Sequence, residues 1–189
     1  MTRLSTYCGG GDTGRPLVAG TLRGYRTWRP ARRWTRVPEG AIPLTAVTRR
    51  HIIWTPMLDA CCSPPWIAPR HREASLPADH QAPFAGCRCG IYAWYEPDDT
   101  GILHAGVFGT VEASGVILLG DRGFRAERAR VIAIVTRNRR VGTACADAGI
   151  AVYRHRRDLL HDYPPDDVST LLGDSTPREP EMEDPGDRR

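Results

Sequence analysis

Apolar and polar residues alternate along TLRGYRTW (21–28), and the same period, thickened with valine and isoleucine, returns between residues 106 and 136. A two-residue period puts successive side chains on opposite faces of a strand. The pattern predicts a strand over 21–28, a short β run at HIIW (51–54) ahead of Pro56, and a strand through CGIYAWYEP (89–97). The turn signal PDDTG closes that last strand. ILHAGVFGTVEASGVILLG and RAERARVIAIVTR predict three or four more strands, divided by turns at 113–115 and 121–123. GFRAERARV (123–131) itself reads as an exposed strand edge or face, with Glu127 pairing locally.

The period then lengthens. Val141, Ala144, Cys145 and Ala148 fall at helical spacing and Gly149 supplies a stop. IAVYR reads as a further strand, and RRDLLHDY as a short helix ended by Pro164 and Pro165. Residues 55–86 are rich in proline and lack periodicity, which predicts a long irregular segment that something must clamp. The expected fold is α+β: a mostly antiparallel β-sheet with a long clamped loop and a small C-terminal helix-strand-helix addition. The expected units are a flexible leader (1–17), a β-rich Cys/His domain (18–137), the addition (138–172) and a disordered acidic tail (173–189).

At 189 residues with a mean hydropathy of −0.40, the chain is long enough for a core and rich in loops. No stretch approaches the roughly 18 apolar residues of a membrane span, and the first residues lack the apolar centre of a secretory signal. These features predict a cytoplasmic protein with no membrane partner, whose six cysteines are reduced thiols or metal ligands. Every basic residue is an arginine, a mark of a GC-rich genome as much as of phosphate binding. Net charge is +4, and the tail from residue 173 carries −3, leaving +7 on the body. That balance permits an anionic partner without requiring one.

The strongest chemical signal is the concentration of Cys61, Cys62, His71, His80, Cys87 and Cys89 within 29 residues. A structural zinc site joins a short-spaced ligand pair to ligands from elsewhere, and Cys62, His80, Cys87 and Cys89 form such a set, with Cys61 as a substitute for Cys62. Two other readings stay open. Cys87 and Cys89, at i and i+2, would share one face of a strand and can simply be buried, or one of them can act as a nucleophile with His80 or His104 as base. His71-Arg72-Glu73 has the H-x-E form of zinc deaminases, but the C-x-C pair lacks the P-C-x-x-C partner. A second candidate is RGYRTWRPARRWTR (23–36). There Arg23, Tyr25, Arg26, Trp28, Arg33 and Trp34 interleave cations with rings as single-stranded nucleic-acid binders do, although a half-buried strand needs the same alternation.

The stretch HQAPFAGCRCGIYA, together with GYRTW before it and GFRAE (123–127) after it, resembles an uncharacterised family of small proteins from high-GC Gram-positive bacteria and their phages. That family pairs an H-x-A-P-x(3)-C-x-C-G-I-Y-A motif with a G-Y-R-A-E segment. Its tryptophan-glycine pair between the motifs is replaced here by GTVEASG and ILLG. The resemblance implies that Cys62, His80, Cys87 and Cys89 belong together, and it implies no activity. The sequence thus leads to a non-catalytic cytoplasmic binding or adaptor domain with a structural zinc and a protein partner. A Cys/His-dependent hydrolase or transferase and a single-stranded nucleic-acid binder are the alternatives.

Overall fold

The computed structural model describes residues 16–17, 20–31, 37–48, 52–62, 80–101 and 106–172. Most of the expected leader, the acidic tail and the middle of the proline-rich segment lie outside the described residues. The described chain is a β-rich α+β fold with β1 (Pro16–Leu17), β2 (Leu22–Pro30), β3 (Leu44–Ala46), β4 (Met57–Asp59) and β5 (Ile91–Trp94). β6 (Val107–Leu119), β7 (Gly123–Val135), α1 (Arg139–Asp147), β8 (Ala151–Tyr153), α2 (Arg156–Asp162) and α3 (Ser169–Leu172) follow.

β6 and β7 form a long antiparallel hairpin, closed where the Gly120 amide donates to the Gly123 carbonyl at 2.8 Å. β1 and β2 pair with β6, while β5, β4 and β8 pair with successive stretches of β7. β2 also meets β5 at Tyr25 and Trp94, so the pairings β2–β6–β7–β5 close into a ring. All pairings are antiparallel except β7–β8. α1 carries the chain back so that Ala151–Tyr153 lies parallel to Ala133–Val135, which makes the sheet mixed.

Three local expectations are corrected. The turn foreseen at 113–115 is a register shift inside one continuous 13-residue strand, with Gly115 at φ +77° supplying the bend. HIIW is not a strand among the described residues: Ile53 makes a single bridge to Thr45. GFRAERARV is not an edge, because β7 is paired on both sides, and its exposure is confined to Arg128 and Arg130 while Phe124, Arg125 and Ala126 are buried. Its alternation of arginine with small residues lets strands close in on it.

The main core fills the ring and spreads beneath α1. Trp28 and Trp54 meet edge to face at 5.3 Å, with Leu44, Val107, Ile117 and Phe124 around them and Val141 and Cys145 contributed by α1. A second cluster on the opposite face of the sheet joins Tyr25 and Ala133 to Leu159 of α2. Side-chain parity along β2 decides the split: Leu22 and Trp28 serve the main core, whereas Tyr25 stacks on Phe108 at 5.8 Å in the second.

Two glycines allow the ring to be this narrow. A Cβ on Gly24 would stand 2.7 Å from the Phe124 ring and 2.8 Å from the Ala93 Cβ. One on Gly109 would overlap the Ala133 carbonyl oxygen and stand 3.0 Å from the Trp28 ring. A paired backbone carbonyl cannot rotate away as a side chain can. Gly109→Ala should therefore destabilise the fold by about 1–3 kcal/mol, read as a lower urea midpoint at unchanged slope; an unchanged midpoint would contradict the close approach.

Candidate metal centre

The site is built where β4 and β5 flank β7. After β4, the Ala60 amide donates to the Glu127 carbonyl at 2.6 Å, which holds the chain against β7 and delivers Cys62. The chain re-enters at His80, and Gln81 donates from Nε2 to Glu127 Oε1 at 3.0 Å, so both arms of the loop are tied to one β7 residue. A turn follows, in which the Cys87 amide donates to the Phe84 carbonyl at 3.0 Å, and Cys87 and Cys89 lead into β5. Gly90, at φ +117°, makes that junction: a Cβ there would meet Pro83 at 3.0 Å and the Arg125 side chain at 3.1 Å.

Cys62, His80, Cys87 and Cys89 converge, each offering one ligand atom, and these atoms all lie within 4.8 Å of one another. The Sγ atoms of Cys62 and Cys87 are 3.8 Å apart, and Cys89 Sγ is 3.4 Å from His80 Nε2. Cys87 and Cys89 are buried and the other two half-buried, with Ala60 and Ala82 packed around the sulfurs. This group can hold a metal ion. Cys61 is exposed and not part of it, which leaves Cys62 as the candidate ligand from that pair.

Arg125 is the residue that sequence reasoning missed. Its guanidinium is buried beneath the turn and donates from one terminal nitrogen to the carbonyls of Phe84, Cys87 and Cys89, the last at 3.2 Å. Those carbonyls bracket the C-x-C pair, so one cation orients both thiols. Its position in the GFRAE segment was the available signal, obscured by reading that segment as solvent-facing.

The thiols respond unequally to this enclosure. Burial alone would raise Cys87. Hydrogen bonds from the Cys89 amide and from the side chains of Cys62, His80 and Cys89 outweigh it, and its thiol lies below the ordinary value. Cys89 is pushed up to about 12 by burial, reinforced by the charge on Cys87. The first thiolate is thus accommodated and the second opposed, a conflict that a bound cation removes.

The arginine-aromatic stretch is placed differently. Trp28 is enclosed in the core, and Tyr25 is buried with its hydroxyl donating to the Tyr163 carbonyl at 2.7 Å. Arg26 donates to the Tyr92 carbonyl and lies over the Trp54 ring at 4.9 Å, while Arg23 pairs with Asp166. Arg33, Trp34, His71, Glu73 and His104 lie outside the described residues. No family model, curated protein or solved structure matches the chain.

Two outcomes follow from the site geometry. Arg125→Met leaves three carbonyls without their charged donor, which should destabilise the fold by about 2 kcal/mol or more and speed thiol modification of Cys87 and Cys89 in a timed disulfide-exchange assay. In chelator-treated protein, labelling should grow at Cys87 below pH 9, where its thiolate already exists, and at Cys89 only as the pH nears about 12. Mass mapping of alkylated peptides across that range checks the order, and simultaneous labelling of both would refute it.

Proposed function

We propose that this chain is a non-catalytic cytoplasmic binding module in which Cys62, His80, Cys87 and Cys89 hold a structural zinc ion. The observation that carries the reading is the pair of separations between ligand atoms. Tetrahedral zinc, with bonds of about 2.3 Å to sulfur and about 2.0–2.1 Å to nitrogen, has sulfur-sulfur edges of about 3.8 Å and sulfur-nitrogen edges of about 3.6 Å. The separations here are 3.8 Å and 3.4 Å. Three thiols and one imidazole are also the donor set that soft, borderline zinc prefers over calcium or magnesium. The resemblance of HQAPFAGCRCGIYA and GFRAE to a family motif supports the grouping, since the second segment supplies Arg125.

Four ligands close a structural site, whereas a catalytic one keeps a position open. Each of the four side chains here has its ligand atom turned to the others. The Cys89–His80 contact has the form of a nucleophile and its base, but a buried thiol raised to about 12 is a poor nucleophile at neutral pH. The nucleic-acid alternative loses support because Tyr25 and Trp28 present no open face on which a base could stack. Zinc here would tie the chain leaving β4 to the chain entering β5, acting as the clamp for the proline-rich segment.

Native mass spectrometry of the purified chain, with elemental analysis, should show one zinc ion per molecule. Cys62→Ser and His80→Ala should each weaken retention at least tenfold, and chelation should lower the melting temperature. A metal-free protein whose melting point ignores chelator would overturn the reading.

A further inference from the structure

A cleft of about 550 Å³ lies where β6 begins and β7 ends, beside the β8–α2 turn. Ten residues of β7, on the order of 30 Å of extended strand, separate it from Arg125 and the cysteine site, so it is independent of whatever occupies that site. Its lining combines Val107 and Val135 with Arg137, Arg154, His155 and Arg156. Volumes of this size are typical of small-molecule sites, where an apolar lining carries a few convergent polar groups.

The charges around it are unbalanced. Arg137 and Arg154 are exposed, as are Arg139 and Arg140 on the first turn of α1, and none of the four has an acidic partner among the described residues. Arg156 is pre-positioned: it donates to Asp98 at 2.8 Å, lies over the Phe108 ring at 4.6 Å, and keeps its Nε buried with no hydrogen-bond partner. The α1 terminus is not what makes the site, because Asn138 Oδ1 already accepts from the amides of Arg140 and Val141. Unpaired like charges gathered at one cleft repel one another, and a multivalent anion reverses the sign of that interaction. Arginine forks match phosphate oxygens in geometry.

We propose that this cleft binds a small organic phosphate of nucleotide size, its phosphates held by Arg137, Arg154 and Arg156 and its uncharged body against Pro30 and Val135. The apolar part of this mixed lining, at Pro30 and Val135, favours an organic body over inorganic phosphate alone. Among the described residues the lining offers one aromatic ring, the His155 imidazole, and no series of rings on which successive bases would stack, which favours a compact ligand over a single-stranded nucleic acid.

Isothermal titration of the full chain with a nucleoside diphosphate, the matching nucleoside, inorganic phosphate and a short single-stranded oligonucleotide tests the proposal. The diphosphate should bind tightest, with the nucleoside and inorganic phosphate each weaker by roughly tenfold or more, since a charge-assisted hydrogen bond contributes about that factor. A double variant, Arg137→Ala with Arg154→Ala, should lose roughly tenfold or more in diphosphate affinity on the same ground, while its melting temperature is unchanged or raised by relief of repulsion. Absence of diphosphate binding, equal binding of nucleoside and diphosphate, undiminished affinity in the double variant, or an oligonucleotide that binds tighter than the diphosphate would each overturn it.

Discussion

The β6–β7 pairing is the constraint on which the rest of the molecule depends. Of the other six strands, five attach directly to this hairpin and β3 attaches through β2. Two paired 13-residue strands act as a ruler, and position along them decides what is built where. The Gly123 end of β7 receives β5, its middle receives β4, and its Val135 end receives β8. Long strands of this kind twist strongly, and the break in register after Ser114 lets β6 follow β7 while the ring closes through β2 and β5.

The cysteine site is a consequence of that geometry. β5 and β4 are neighbours along one edge of β7, so the segments that leave β4 and enter β5 converge over Arg125 and Glu127. Arg125 fixes the carbonyls of the C-x-C turn. Glu127 ties down Gln81 with one carboxylate oxygen and the Val116 amide with the other. Cys62 on one arm and His80, Cys87 and Cys89 on the other are thereby brought to a common point by backbone pairing, and the proposed zinc would add its bonds to a frame already laid out by hydrogen bonds.

Legibility in the sequence followed the range of the forces involved. The α1 helix was readable because Asn138, Val141, Cys145 and Gly149 act within a few residues: cap, buried stripe and stop. The Cys/His grouping was readable because thiols and imidazoles crowd into one stretch, although convergence depends on β4 and β5 lying side by side, which periodicity does not express. The bulge at Gly115 was misread as a turn because glycine marks both, and the choice rests on whether the flanking residues pair with a third strand, as Ala113 does with Leu22. The central place of β7 was hidden by its arginines: their charge suggested solvent, while the structure uses Arg125 as a buried donor and sets Arg128 and Arg130 against Asp59 and Glu112 on paired strands.

That last point bears on how an arginine-only composition should be read. Composition treats the cations as equivalent; the fold sorts them. Arg26 and Arg125 are enclosed and satisfy carbonyls, and burial draws Arg26 below its ordinary value. Arg23, Arg122, Arg128 and Arg130 pair with acids across the sheet or beside it, and such partly exposed pairs contribute little beyond fixing geometry. Arg137, Arg139, Arg140 and Arg154 have no such partner among the described residues. A lysine-free composition accounts for these side chains being arginine, but not for cations with no acidic partner among the described residues collecting around one cleft. Self-repulsion there works against folding, and a bound anion is the physical condition under which the same arrangement becomes favourable.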